Sequence, residues 1–240
     1  MMLIDRMRED IQAVFDRDPA ARTTLEVVLT YAGLHAIWLH RIAHFLWQHN
    51  FKLIGRMVSA LSRFLTGIEI HPGAKIGRRL FIDHGSGVVI GETAEIGDDV
   101  LIYQGVTLGG TSLRKEKRHP TIEDHVMVSA GAAVIGPVRI GRGSRIGAGA
   151  VVVSSAPPYS TIVGIPGKVI EGESTRQDIV TLDHAHLPDP VARAINGLVE
   201  KINQLGARLE EIEQRQDCLE DKLMPEASPS NGAVRKHQTD

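Results

Sequence analysis

Between residues 70 and 152 an apolar side chain returns at every sixth position. One phase runs Ile70, Ile76, Ile82; a second runs Ile90, Ile96, Ile102, Leu108; a third runs Ile122, Val128, Val134, Ile140, Ile146, Val152. A period of six is neither the 3.6 of a helix nor the alternation of a simple strand pair. It predicts a solenoid of very short strands, each turn of the chain placing apolar side chains inside a prism. Glycine often follows at once, as in Ile76-Gly77, Ile90-Gly91 and Ile140-Gly141, and is expected to ease the corners through its backbone freedom. The expected fold is a parallel β-helix of hexapeptide repeats over residues 67–170.

The period breaks twice. From Ile82 to Ile90 the step is eight, around Asp83-His84-Gly85-Ser86-Gly87. From Leu108 to Ile122 it is fourteen, which predicts a loop, Gly109 to Pro120, that leaves the prism. Insertions in a solenoid usually mark a binding face, and both breaks carry histidine.

Other periods flank the prism. Residues 1–66 read as an α-helical domain: Ile4, Met7, Ile11, Val14 and Phe15 share one helical face, and Asp18-Pro19 ends that helix. A second helix is expected from about Thr24 to Gln48 and a third from about Phe51 to Leu65. In the third, Lys52, Arg56 and Arg63 interrupt apolar residues, which we read as ordinary packing with exposed basic tips. His35, His40, His44 and His49 lack a completing carboxylate or cysteine and are read as structural. After Val152 the prolines of Ala156-Pro157-Pro158 are expected to stop the repeat, and the stretch Ile162–Val169 to cap its open end.

Residues 171–188 read as a polar linker. In 189–223, Ile195, Ile202, Leu209 and Leu223 alternate with Leu198, Leu205, Ile212 and Leu219 at 3–4 spacing, with Gln216 the polar seam position. That is the pattern of a coiled-coil helix. Residues 224–240 have the composition of a disordered tail.

Bulk properties narrow the classes. The 240 residues carry a formal charge of −2, too little field to point to nucleic acid or an anionic membrane. One cysteine, Cys218, leaves no intramolecular disulfide and suits a reducing cytoplasm. No secretory leader is recognisable. The most apolar stretch, Val27–Trp47, is interrupted by His35, His40, Arg41 and His44, which makes it a poor membrane span and a better buried helix.

The chemistry concentrates at the first break. His84 follows Asp83, and Glu69 lies fifteen residues earlier, close to one coil. Stacked coils are expected to set Glu69 and His84 at neighbouring levels, the carboxylate orienting the imidazole. An imidazole with a pKa near ~6.5 is a suitable general base at neutral pH. No serine or cysteine stands in a nucleophile-elbow context. The inferred chemistry is direct attack of a substrate hydroxyl on an activated acyl group.

The run Gly67-Ile68-Glu69-Ile70-His71-Pro72-Gly73-Ala74-Lys75-Ile76-Gly77, with Ile82-Asp83-His84, Gly91-Glu92-Thr93, Gly105-Val106-Thr107-Leu108-Gly109-Gly110-Thr111 and Arg118-His119-Pro120, closely resembles serine O-acetyltransferases. Arg17-Asp18-Pro19-Ala20 extends the similarity to roughly residues 5–170. The resemblance implies acetyl transfer from acetyl-CoA to the hydroxyl of L-serine, for cysteine synthesis. It also implies a left-handed parallel β-helix behind a helical domain, trimeric assembly, and no metal. It makes His84 the base and puts Glu69 where family members commonly have aspartate. Asp18, Asp83, Arg118 and His119 match the amino-acid pocket, with Glu92 beside them. A zwitterion needs an acid for its ammonium and a planar guanidinium for its carboxylate. Gly109, Ala130 and Ala148 match the small residues along the pantetheine arm, and Lys168 a basic position near the coenzyme phosphates. L-Cysteine is implied as a feedback inhibitor.

Three features depart from the family. The helical region is shorter than in hexameric members, so a trimer is expected. The end, His237-Gln238-Thr239-Asp240, lacks the isoleucine that docks into O-acetylserine sulfhydrylase, so that complex is not expected. The heptads have no counterpart and are read as a trimeric zipper. Three other readings stay open at this level: a hexapeptide acetyltransferase for a sugar or antibiotic hydroxyl, a carbonic-anhydrase-type zinc hydratase using His84, His119 and His125, and a non-enzymatic trimeric scaffold supported by the heptads alone.

Overall fold

The computed structural model describes residues 3–170 and 190–223, which fall in two units divided near residue 188. The first holds four helices and a three-faced prism. The second, among its described residues, is one helix. The linker 171–188 and the tail 224–240 lie outside the described residues.

The prism is a parallel β-helix, as its period predicts. Its first face stacks Glu69–Ile70, Val89–Ile90, Thr107–Gly109, Ala133–Ile135 and Val151–Val152. The second stacks Lys75–Ile76, Glu95–Ile96, Thr121–Ile122 and Arg139–Ile140. The third stacks Phe81–Ile82, Leu101–Ile102, Met127–Val128, Arg145–Ile146 and Thr161–Val163. Most hexads bury two side chains, the expected one and the one two residues before it: Val88 with Ile90, Val100 with Ile102, Val106 with Leu108, Val126 with Val128. The alternation of side chains along even a two-residue strand puts both inside. Burying a Val, Leu or Ile side chain contributes roughly 1.5–3 kcal/mol, so this column is the main source of the prism's stability.

The glycines have a different job from the one expected. Gly77, Gly91, Gly97 and Gly141 do not turn through positive φ; they lie where the coil above leaves no room. A Cβ on Gly141 would sit 2.3 Å from the Pro158 nitrogen. The corners instead turn at other residues. Arg79, Asp99, His125, Gly143 and Tyr159 stack at the corner between the second and third faces, and Gly87, Gly105, Gly131 and Gly149 at the corner between the third and first. The prolines do not stop the repeat either. Ala156 bridges Ile140 in parallel, and Thr161–Val163 continues the third face. Ser144, facing inward where other coils carry an apolar residue, donates to the Pro157 carbonyl at 3.1 Å, which accommodates the proline turn. Lys168–Ile170 then folds back antiparallel and closes the edge.

The helices are α1 (Leu3–Phe15), α2 (Thr24–Thr30), α3 (Ala32–Gln48) and α4 (Lys52–Thr66). The single helix expected over Thr24–Gln48 is broken at Tyr31, whose backbone is extended (φ −85°, ψ 101°). The Tyr31 hydroxyl donates to Asp18 Oδ2 at 2.5 Å, a tertiary bond that holds the break open. α3 caps the prism: Ala36 and Ile37 join its core, and Gly33 comes so close to the Ile82 carbonyl that a Cβ would lie 2.2 Å from its oxygen. The outward residues of the third face, Phe81, Leu101 and Met127, pack with Val14, Val27 and Leu34 in a second core.

α4 is packed the other way round from an ordinary surface helix. Gly55, Ser59 and Ser62 face inward, with Ser59 Oγ donating to the Ile70 carbonyl at 2.7 Å. Leu53, Ile54, Met57, Leu61, Phe64 and Leu65 are exposed. The expectation of ordinary packing is thus corrected: small residues let α4 lie close, and the bulky ones are left outside. His35, His44 and His49 each bond a backbone carbonyl (Val28, Pro72 and Phe45), consistent with structural roles. The C-terminal unit's helix, α5, spans Pro190–Leu223.

Candidate active site

The two-residue enlargement between Ile82 and Ile90 bulges the corner between the third and first faces. His84 sits there in the left-handed region (φ 57°), and the Gly85 N–H donates to the Asp83 carbonyl at 2.6 Å, closing a three-residue turn. A non-glycine residue held this way is strained, and such strain concentrates at functional sites. Gly85 cannot be replaced: its φ is +74° and a Cβ would press on Ile68 Cδ1 at 2.4 Å. The His84 ring is exposed.

Acids line the same corner. Asp83 is half-buried; burial pushes its carboxyl above the ordinary aspartate range, the His84 charge opposes the rise, and Asp18 adds to it. Asp18 accepts from Tyr31 and from the Ala20 N–H. Burial, then the bond to Asp18, pushes the Tyr31 phenol up to about 12, so it stays a donor. Burial likewise raises Tyr103, with Asp83 contributing. Asp18, Asp83 and His84 therefore share one neighbourhood.

Glu69 is placed less simply. The coil at this level runs from Glu69 to its partner Val89, and the Glu69 carboxylate is 2.9 Å from Arg63 Nη1. Within one chain no hydrogen bond joins Glu69 to His84.

A second cluster lies at the corner between the first and second faces, where the long loop returns. Arg118 Nη2 is 2.5 Å from Glu92 Oε2, and this bond is the main cause of the low carboxyl pKa of Glu92. The Thr93 hydroxyl accepts from the backbone N–H groups of Arg118 (3.0 Å) and His119 (3.1 Å), and stands 2.9 Å from His119 Nδ1. With the Thr93 N–H also donating to Nδ1, that nitrogen is an acceptor and the proton of neutral His119 is on Nε2. Burial holds His119 below the usual histidine range, with Arg118 adding. The fit is tight: a Cβ on Gly91 would lie 1.9 Å from His119 Cδ2. His71 faces the group as well. Its Nδ1 accepts from the Gly73 N–H at 2.9 Å, its ring meets Trp47 edge-on at 4.9 Å, and burial, then Arg56, lowers it to about 4.

The small residues split between the corners. Gly109 ends a strand beside the second cluster, where the next residue, Gly110, abuts His119. Ala130 and Ala148 stack along the His84 corner, where the Gly105, Gly131 and Gly149 N–H groups donate to the Ser86, Gln104 and Ala130 carbonyls. Lys168 is exposed on the closing strand. Within one chain, then, the expected pocket is divided: Asp18, Asp83 and His84 at one corner, Glu92, Arg118 and His119 at another. Among the described residues no group of three or more His, Cys, Asp or Glu is placed to hold a metal ion. His125 turns its own corner at φ 57°.

Four residues of these clusters were not singled out from sequence. His71 and Thr93 lie inside quoted motifs, so position beside Glu92 was a usable signal; Tyr31 and Tyr103 carried none.

Comparison with known proteins is specific. Residues 119–154 match the description "Bacterial transferase hexapeptide (six repeats)", and residues 1–38 match "Serine acetyltransferase, N-terminal". The chain is 56% identical over 216 residues to a serine acetyltransferase of Bacillus subtilis, covering 89% of this chain and 98% of that protein. It is also 56% identical over 204 residues to one from Staphylococcus aureus, covering 85% and 94%. Among solved structures, a Neisseria gonorrhoeae serine acetyltransferase in complex with serine superposes with a TM-score of 0.67 at 40% identity, covering 70% of this chain and 69% of that one. A serine acetyltransferase in complex with cysteine gives 0.74 at 38% identity, covering 77% and 72%.

Proposed function

The chain belongs to the serine acetyltransferase family, and we propose that it transfers acetyl from acetyl-CoA to the hydroxyl of L-serine with His84 as general base. The observation that carries this is His84 itself: a strained, exposed imidazole at the enlarged corner between the third and first faces, with half-buried Asp83 beside it and Asp18 close by. The fold is accordingly the family's left-handed β-helix with helices before and after it.

In this reading the imidazole takes the hydroxyl proton as the serine oxygen attacks the thioester carbonyl. The tetrahedral intermediate collapses, the carbon–sulfur bond breaks, and the imidazolium returns the proton to the leaving thiolate, giving O-acetyl-L-serine and CoA. Asp18 and Asp83 take the substrate ammonium. Arg118 takes the carboxylate, with Glu92 and His119 fixing its place. Glu69 is assigned to orienting the imidazole, which requires its carboxylate to leave Arg63, its partner within one chain. Gly109, Ala130 and Ala148 leave room for the pantetheine arm, and Lys168 meets the coenzyme phosphates.

Because the two clusters stand on different corners of one prism, the pocket is completed between copies: the His84 corner of one against the Arg118 corner of the next. The outward apolar face of α4 supports such assembly, since a patch of this kind marks a contact surface. We propose a trimer; a light-scattering mass near that of six chains contradicts it. L-Cysteine carries the same ammonium and carboxylate as serine and is the proposed inhibitor, in keeping with the cysteine-bound relative. The product feeds cysteine synthesis in a reducing cytoplasm, and no sulfhydrylase complex is proposed. Among the described residues no helix is long and apolar enough to cross a membrane.

The test is thiol release from acetyl-CoA with L-serine, against sugar and antibiotic acceptors. His84→Ala is expected to lose at least ~10² in rate. Release with another acceptor and none with serine, or an unchanged rate in His84→Ala, overturns the proposal.

A further inference from the structure

α5 carries an apolar seam with nothing on its own helix to cover it. Ile195, Leu198, Ile202, Leu205, Leu209, Ile212 and Leu219 are all half or more exposed. An amphipathic helix draws most of its stability from packing its apolar face, so this seam calls for a covering partner. The charges beside the seam say which helix.

In the heptad that puts Ile202 and Leu209 at one seam position and Leu205 and Ile212 at the other, one flank carries Lys201, Arg208 and Arg215. The opposite flank carries Val199, Gly206, Glu213 and Glu220. In a parallel pair in register, the basic flank of one helix meets the acidic flank of its neighbour five residues on. Arg208 then faces Glu213, and Arg215 faces Glu220. An antiparallel pair sets each flank against itself, arginine on arginine and glutamate on glutamate. Within a single helix Arg208 and Glu213 are five apart and do not share a face, so the pattern has no intrahelical use. Arg215 reaches Glu211 at 2.8 Å in the isolated helix, an exposed pair that holds it weakly.

We propose that α5 is a homotypic interaction surface: copies of this chain pair through it, parallel and in register, with Arg208–Glu213 and Arg215–Glu220 contacts between chains. Its use is to keep copies joined on dilution. A tethered second contact raises effective concentration, and a pocket divided between copies is lost when they separate. Only this last point rests on the composite site proposed above; the pairing does not.

Three measurements on the full-length protein and its variants decide it. Leu198→Cys in a Cys218→Ser background sets one seam cysteine per chain, and mild oxidation is expected to link chains covalently, since like seam positions meet only in the parallel register. A chain ending at residue 188 is expected to dissociate at a concentration at least ~10²-fold higher than the full chain, read by mass photometry and sedimentation. Arg208→Glu with Arg215→Glu is expected to weaken association about tenfold, and adding Glu213→Arg with Glu220→Arg to restore it. Absence of the cross-link, an unchanged dissociation profile on truncation, or failure of the reversed pairs to restore association each overturns the proposal. If the shortened chain dissociates but keeps full activity per chain, the pairing stands and the composite site falls.

Discussion

The prism and α5 are built from the same side chains, isoleucine, leucine and valine, and use them in opposite ways. In the prism Ile102 and Ile122 are 0% and 1% exposed, while Ile202 and Leu205 of α5 are 65% and 66% exposed. A coil that returns on itself every three strands encloses its own apolar column, so one chain completes the core. A lone helix has no inside, and its seam stays open until another helix arrives. α4 stands between the two: its small face is satisfied by α3 and the prism, and its bulky face is open. The stability of the prism therefore belongs to the chain, and in the pairing proposed above that of α5 belongs to the assembly.

The largest expected effect breaks the prism side of this contrast. Ile102→Ala is expected to cost about 2–5 kcal/mol in denaturant unfolding, because the stacked coils cannot collapse onto the void. Ile202→Ala in α5 is expected to leave the prism transition where it is and to change only association. Equal losses at both sites contradict the distinction.

Within the prism, Gly91→Ala separates packing from chemistry. Its Cβ has no space beside His119, so the imidazole and Arg118 must move; a misplacement of about 1 Å is expected to cost about 10² in kcat/KM for serine. The far-ultraviolet circular dichroism is expected to be unchanged. Retained kinetics with a resolved Cβ at this position refutes the account of the site.

Two histidines, buried His40 of α3 and half-buried His71 at a corner of the prism, add a pH dependence to the first unit. Burial lowers His40 to about 3 and His71 to about 4, whereas both titrate near 6.5 when unfolded. Between those values the unfolded chain binds more protons, so stability falls as pH drops below about 6.5 and continues to fall toward the folded pKa values. His40→Leu is expected to flatten the drop in Tm between pH 7 and pH 5. An unchanged slope removes His40 from the cause.

The smallest effect sharpens the α5 side. Gly206 lies mid-helix with nothing within 4 Å of where a Cβ would be. Gly206→Ala is expected to stabilise α5 by about 1 kcal/mol and to strengthen association, with the prism transition unmoved. A shift of the prism transition instead shows that the two units are coupled.

Much of this was legible from residues alone. A six-residue period specifies a prism because each repeat has one way to hide its apolar pair, and the two breaks in that period mark both corners that carry chemistry. The boundaries of α1 and α4 followed from helical spacing. Other features were not legible for equally physical reasons. The break at Tyr31 depends on a hydroxyl finding Asp18, a contact between segments that local propensity does not record. The glycines after each isoleucine looked like turn residues, and only stacking showed that they yield space to the coil above. Prolines at 157 and 158 looked like a stop, yet an inward Ser144 supplies the hydrogen bond that lets the coil continue.

What the sequence by itself determined is the repeat, the helices around it, and which side chains hold reactive or charge-matching groups, since these follow from residue type and spacing. Only the tertiary structure decided that His84 is held in a strained turn beside half-buried Asp83, and that Arg118 stands at a different corner with Glu92. Stacking converts positions 8, 15 or 26 residues apart into neighbours or strangers according to the length of each coil, and coil length is set by where the chain bulges.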